Sequence, residues 1–147
     1  MRSLISLLCL SWLLAFTGCG TPPERRLDPP AIQITEVTAS QDTYKVTLRV
    51  SNANTVPLVV NSSTHTLRLG QDRIGRIDDR EPIGLPPLGA VPHTFTLTTT
   101  QADEVRAYLA AHPGEVRATV ESAFEVLLTD DQTITLKSTG GGAVNVR

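Results

Sequence analysis

The stretch Tyr44-Lys45-Val46-Thr47-Leu48-Arg49-Val50-Ser51 decides the fold class. Its apolar residues occupy every second position, Tyr44, Val46, Leu48 and Val50, with polar residues between them. Successive strand side chains point to opposite faces, so this alternation predicts one face on a core and one in water. Working outward, the same period returns repeatedly. Ile32 and Ile34 begin a strand before it, and the step from Ile34 to Val37 breaks the alternation as a β-bulge does. Leu58 and Val60 begin another, and Leu67 and Leu69 line one face of the next. His93, Phe95, Leu97 and Thr99 then alternate with Thr94, Thr96 and Thr98. Val116, Ala118 and Val120 lead into Phe124, Val126 and Leu128, and Ile134 and Leu136 mark the last strand. One segment changes period. From Gln101 to His112, Ala102, Val105, Tyr108 and Leu109 share one helical stripe, closed by Pro113-Gly114 and opened by a Thr100/Asp103 capping-box pattern. About seven short strands with turn signals between them predict a mainly β protein, a β-sandwich carrying one helix.

Composition agrees with a globular chain. Of 147 residues, 40% are hydrophobic and 19% charged, and thirteen basic against fifteen acidic side chains leave a net charge of −2. A nucleic-acid binder normally carries a basic excess, so that class of partner is not expected. With two cysteines, Cys9 and Cys19, the chain is no disulfide scaffold.

The first nineteen residues read as an address. Arg2 precedes a largely apolar run from Leu4 to Phe16, of a length that suits a secretory signal and falls short of a membrane span. It closes on Phe16-Thr17-Gly18-Cys19, which resembles a bacterial lipobox with Phe16 in place of the usual Leu. That resemblance implies cleavage between Gly18 and Cys19 and lipid attachment at Cys19. Residues 1–18 are then a lipoprotein signal peptide. Residues 19–30, with Pro22, Pro23, Pro29 and Pro30, form the lipidated cysteine and a proline-rich spacer. The expected domain spans 31–138, and the glycine-rich 139–147, with Gly140-Gly141-Gly142, reads as a C-terminal tail. The expected location is the bacterial cell envelope. Gly20 carries no Asp-type retention signal, so in a diderm host the periplasmic face of the outer membrane is expected.

The turns hold special residues. Asn52-Ala53-Asn54 follows the Tyr44 strand directly and Pro57 opens the next, a composition suited to a sharp corner. The segment Pro82 to Gly89 has too many prolines for a central strand. Taken together, Leu48 to Asn54, Pro57 to Val60, Thr64 to Gly70 and the run from Leu85 to Thr99 resemble the group 2 late embryogenesis abundant domain, also called the water-stress and hypersensitive-response type. Its pattern is a strand, an Asn-Pro-Asn corner, a second strand, and a third ending near a glycine. Asn52, Asn54 and Pro57 match that structural corner, while Ala53 stands where the family usually has proline. The likeness covers about Ile32 to Leu136. It implies an immunoglobulin-like or fibronectin III-like sandwich with one helix, an association with desiccation and stress, and no catalytic residues.

The search for chemistry returns little. His65 and His93 lie on strands and can converge across a sandwich, but no third ligand or cysteine accompanies them, so no metal or cofactor is expected. His112 is placed to meet the helix C-terminus. The adjacent carboxylates Asp78-Asp79 and Asp103-Glu104 diverge in a strand or a helix, and Asp130-Asp131 reads as a hairpin turn. Between Asp72 and Glu81 three arginines interleave with the acids, which suits a solvated hairpin better than a calcium loop. No nucleophile elbow, phosphate loop or dinucleotide fingerprint occurs. The reading is a lipid-anchored, non-enzymatic envelope module related to stress or structure. Its partners are a membrane, through the acyl chains, and a lipid or another envelope protein. The alternative is a binding module for a hydrophobic ligand such as a lipid.

Overall fold

The computed structural model describes residues 26–128 and 131–146. Expectations for Gly18, Cys19, the signal segment, the spacer up to residue 25 and Asp130 lie outside the described residues. Eight strands and one helix are present: β1 Ala31–Ser40, β2 Thr43–Ser51, β3 Leu58–Leu69, β4 Asp72–Asp79, β5 Ile83–Leu85, β6 Ala90–Thr98, α1 Ala102–Ala111, β7 Glu115–Leu127 and β8 Thr133–Asn145. They form two antiparallel sheets. One has the order β1-β2-β6; the other runs β4-β3-β7-β8, with β5 pairing the start of β3.

The Tyr44 strand behaves as its pattern demands. Tyr44, Val46, Leu48 and Val50 are buried, and β2 is the centre of its sheet. Opposite it, Leu67, Leu69, Val120, Phe124 and Val126 supply the inner face of the second sheet, giving an aliphatic core with few aromatics. Aligned sheets of this kind interlock their inner side chains to make one core layer. The expected bulge is present, as a register shift between Ile34 and Glu36 against β2.

Several expectations change in the structure. The segments around Leu58 and Leu67 are one twelve-residue strand, not two. A second bulge, between Val60 and Ser62 against β7, switches the inward phase from Leu58 and Val60 to Ser63, His65, Leu67 and Leu69. Polar residues at the switch mask its continuity in the sequence. The charged stretch after Gly70 is β4, an edge strand with Ile74 turned inward and Arg73 and Asp72 exposed. Charges on such an edge discourage pairing with another chain. In the glycine-rich segment, residues 139–145 are not a tail. They are the second half of β8, which is paired with β7 from Thr133 to Asn145. An added Cβ at Gly140 would run into the Ile32 carbonyl and side chain, so small residues there let β8 draw close to β1. Val37 and Val146 form a parallel bridge across that seam.

The spacer boundary also moves. Leu27 packs on the core, Pro30 is buried, and the Ser138 hydroxyl donates to the Pro30 carbonyl. The chain is therefore held from Leu27 onward rather than from Ala31. Proline at 29 and 30 has no ladder donor, but it is compatible with this extended approach to β1.

Candidate functional site

The corner is built from two asparagines. Asn52 is 2% exposed and its side-chain amide donates to the Val56 carbonyl at 2.9 Å, Pro86 at 3.1 Å and Leu85 at 3.3 Å. Its side-chain carbonyl accepts from both the backbone N–H and the side-chain amide of Asn54, each at 2.9 Å. Asn54 then clasps the incoming chain: it accepts from the Asp28 N–H and donates to the Asp28 carbonyl, both at 2.9 Å. The loop from Pro86 to Gly89 closes over the corner, with the Leu88 N–H on the Asn54 carbonyl and the Asn52 N–H on the Gly89 carbonyl. Asparagine offers both donors and an acceptor in one planar group, which is what a crossing of three chain segments needs. Ala53 is exposed, and Pro57 directly precedes β3. The network is structural and presents no reactive group.

The helix caps the far end of the sandwich. Val105 is its one fully buried residue; Ala102, Tyr108 and Leu109 are half-buried. The expected capping box is absent. Gln101 is the N-cap without a side-chain bond, and the Thr99 hydroxyl accepts from the Gln101 N–H instead. His112 meets the helix C-terminus as expected, with Nδ1 2.9 Å from the Tyr108 carbonyl and its ring 4.4 Å from the Tyr108 ring. Tyr108 lies over Gly70, whose φ of +60° makes the β3–β4 turn and whose missing side chain leaves room for the phenol. Beside the helix an open depression is lined by Ala39, Gln41, Asp42, Tyr44, Arg106 and Leu109. Leu109 thus packs against the edge of the core with one side on this depression.

A second polar group sits between the sheets. His65 on β3 is fully buried, stacked on Phe95 at 4.4 Å and edge-on to Phe124 at 5.9 Å. Its Nε2 lies 2.8 Å from the Ser63 hydroxyl and its Nδ1 2.8 Å from the Ser122 hydroxyl. Burial lowers its pKa from 6.5 to about 4, with His93 adding to the shift and Asp79 opposing it. The imidazole is therefore neutral at pH 7. His93 on β6 is 6% exposed, with Nε2 3.0 Å from Asp79 Oδ2 at the end of β4. That contact lies outside hydrogen-bond geometry, and the buried Nε2 has no hydrogen-bond partner among the described residues. One ligand atom from each of His65, Asp79 and His93 falls within 4.8 Å of the others.

The two histidines do converge, and a third ligand-type residue accompanies them, contrary to the sequence expectation. Asp79 is missed in the sequence because it sits within a charged stretch that reads as solvated. The available signal is the inward phase of Ser63 and His65, which places polar side chains where apolar ones belong.

Two antiparallel sheets around an aliphatic core, one capping helix and an asparagine corner define a small immunoglobulin-like sandwich module. More particularly, the chain belongs to the late embryogenesis abundant protein family of type LEA_2, whose model matches residues 47–140. No curated protein matches it. Among solved structures, an Arabidopsis thaliana protein known in solution shares 13% identity over 83% of this chain and 87% of its own, with a TM-score of 0.55. A candidate late embryogenesis abundant (LEA) protein, also solved in solution, shares 14% over 95% of this chain and 81% of its own, with a TM-score of 0.48. An Archaeoglobus fulgidus protein shares 17% over 83% of this chain and 100% of its own, at 0.42. At these identities the likeness is one of fold. Family membership suggests a stress-related or structural, non-enzymatic module.

Proposed function

We propose that this chain is a bacterial lipoprotein, an LEA type 2 sandwich held on the cell envelope by acyl groups on Cys19, with a protective or structural role under stress. The observation that supports the anchor is Phe16-Thr17-Gly18-Cys19, standing where the apolar run of the signal segment ends. The stress or structural role is supported by the family, and the non-enzymatic character by the corner, whose polar groups are spent on hydrogen bonds to one another. Two or three acyl chains, at about 0.8 kcal/mol per buried methylene, make such an attachment stable. In a diderm host the proposed site is the periplasmic face of the outer membrane.

Replacing Cys19 by serine tests the anchor. Metabolic labelling with a fatty-acid analogue is expected to mark the wild-type protein and not the variant, and lipoprotein-type cleavage is expected to stop. Undiminished labelling of Cys19→Ser refutes the address.

The second reading, a site for a hydrophobic ligand, is favoured by the depression beside α1, where Leu109 and Ala39 are partly open. Gln41, Asp42 and Arg106 on its rim give it a polar margin. Native mass spectrometry of the purified protein distinguishes the readings, because a copurified lipid of defined mass, lost on Leu109→Arg, supports the ligand site.

A further inference from the structure

We propose that His65, Asp79 and His93 form a binding site for a divalent transition-metal ion of the zinc class. The starting point is a cost that the fold alone does not explain. An aliphatic sandwich has placed Ser63, His65, His93 and Ser122 in its interior, all under 7% exposed, with Asp79 closing the edge. Interior polar groups are normally fully paired, since each one left without a partner costs stability. His93 Nε2 is buried and lacks one. It nevertheless lies 3.0 Å from a carboxylate oxygen placed off the hydrogen-bonding direction. Two ligand atoms about 2.0–2.1 Å from a common tetrahedral zinc ion are themselves about 3.3 Å apart, without pointing at one another. The His93–Asp79 pair, at 3.0 Å, is within a few tenths of an ångström of that spacing.

The rest of the surroundings fit. Imidazole nitrogen and carboxylate oxygen suit zinc and its neighbours in the first transition row, and two histidines with one carboxylate leave a fourth position for water. Asp79 is held by its other oxygen, which accepts from the Glu81 N–H at 2.9 Å. Its side chain is 15% exposed, so the edge between β4 and β6 offers a route from solvent. His65 is oriented by serine hydroxyls on both ring nitrogens. On binding, one nitrogen exchanges its serine for the ion while the other keeps its serine, the outer contact that ligating histidines usually have. The ion would also bridge the two sheets, since His65 and Asp79 belong to one and His93 to the other.

The test is a titration of the full-length protein in detergent, stripped with chelator and then supplied with Co2+ alone. One equivalent of Co2+ is expected to give the strong visible bands of four-coordinate cobalt, and Zn2+ is expected to abolish them. Asp79→Asn and His93→Gln are each expected to weaken binding at least ~10-fold, while His112→Gln leaves it unchanged. Where His93→Gln, a buried position, fails to fold, Asp79→Asn at the strand edge decides alone. Two results overturn the site: Co2+ bands that persist at full affinity in Asp79→Asn, or a weak six-coordinate spectrum only.

Discussion

Replacing Asn52 by alanine probes the corner most directly. Five hydrogen bonds involve its side chain, two accepted by the oxygen and three donated by an amide group that has two protons, so four are independent. At about 1 kcal/mol net for each, the loss is about 4 kcal/mol, a large share of the roughly 5–15 kcal/mol that holds a domain together. The buried Asn54 N–H adds to the loss, because alanine leaves it without an acceptor. Urea unfolding followed by circular dichroism is the assay. For a slope near 2 kcal/mol per molar the midpoint is expected to fall by about 2 M. Asn52→Asp keeps the shape and the acceptor but turns a second oxygen toward the Val56, Leu85 and Pro86 carbonyls, so it is expected to cost at least as much. A midpoint shift under about 0.5 M with an unchanged slope refutes the view that Asn52 organises the corner.

Ala53→Pro is expected to be neutral or to stabilise by up to ~1 kcal/mol in the same assay, because Ala53 is exposed and lies beyond the end of β2; a clear fall in midpoint means a backbone geometry that proline cannot adopt. On the helix, Val105→Ala is expected to cost about 2 kcal/mol and Leu109→Ala about 1 kcal/mol, since Val105 is buried and Leu109 is not; equal losses in thermal unfolding contradict this placement. In chelator-treated protein, His65 makes stability depend on pH. Its folded pKa of about 4 lies below the ordinary 6.5, so the unfolded chain binds more protons between these values and stability falls as pH drops through that window. The span corresponds to about 3 kcal/mol, and urea midpoints at pH 7 and pH 4.5 that differ less in His65→Gln than in the wild type verify the assignment.

Alternation made most of the fold legible. Tyr44 to Ser51 identified the central strand, the Ile34–Val37 step located a bulge, and the Val105 stripe located the helix. What stayed hidden has a common cause, namely residues whose local character opposes their place in the fold. Polar Asn61 to Thr66 looks like a turn, yet it continues β3 across a bulge. Gly140 to Gly142 lacks strand propensity, and its pairing is decided by the closeness of β1, a contact far away in sequence. Likewise, Asp79 becomes a neighbour of His93 only when β4 crosses the edge of the other sheet, and no spacing along the chain encodes that. The Asn52–Asn54 corner was recognisable by residue type, while its hold on Asp28 was not.

That hold has a mechanical side. If the chain is tethered through Cys19, a pull that reaches Arg26 along the chain meets the Asp28–Asn54 clasp before it reaches a strand. The two bonds of the clasp grip the N–H and the carbonyl of a single residue, so they share a load and must part together. Behind them stands the Ser138–Pro30 contact, and only then β1, which is zipped to β2 along its length. The arrangement has the layout of a strain relief on a cable: along the chain, the side-chain contacts stand between the tether and the sheet.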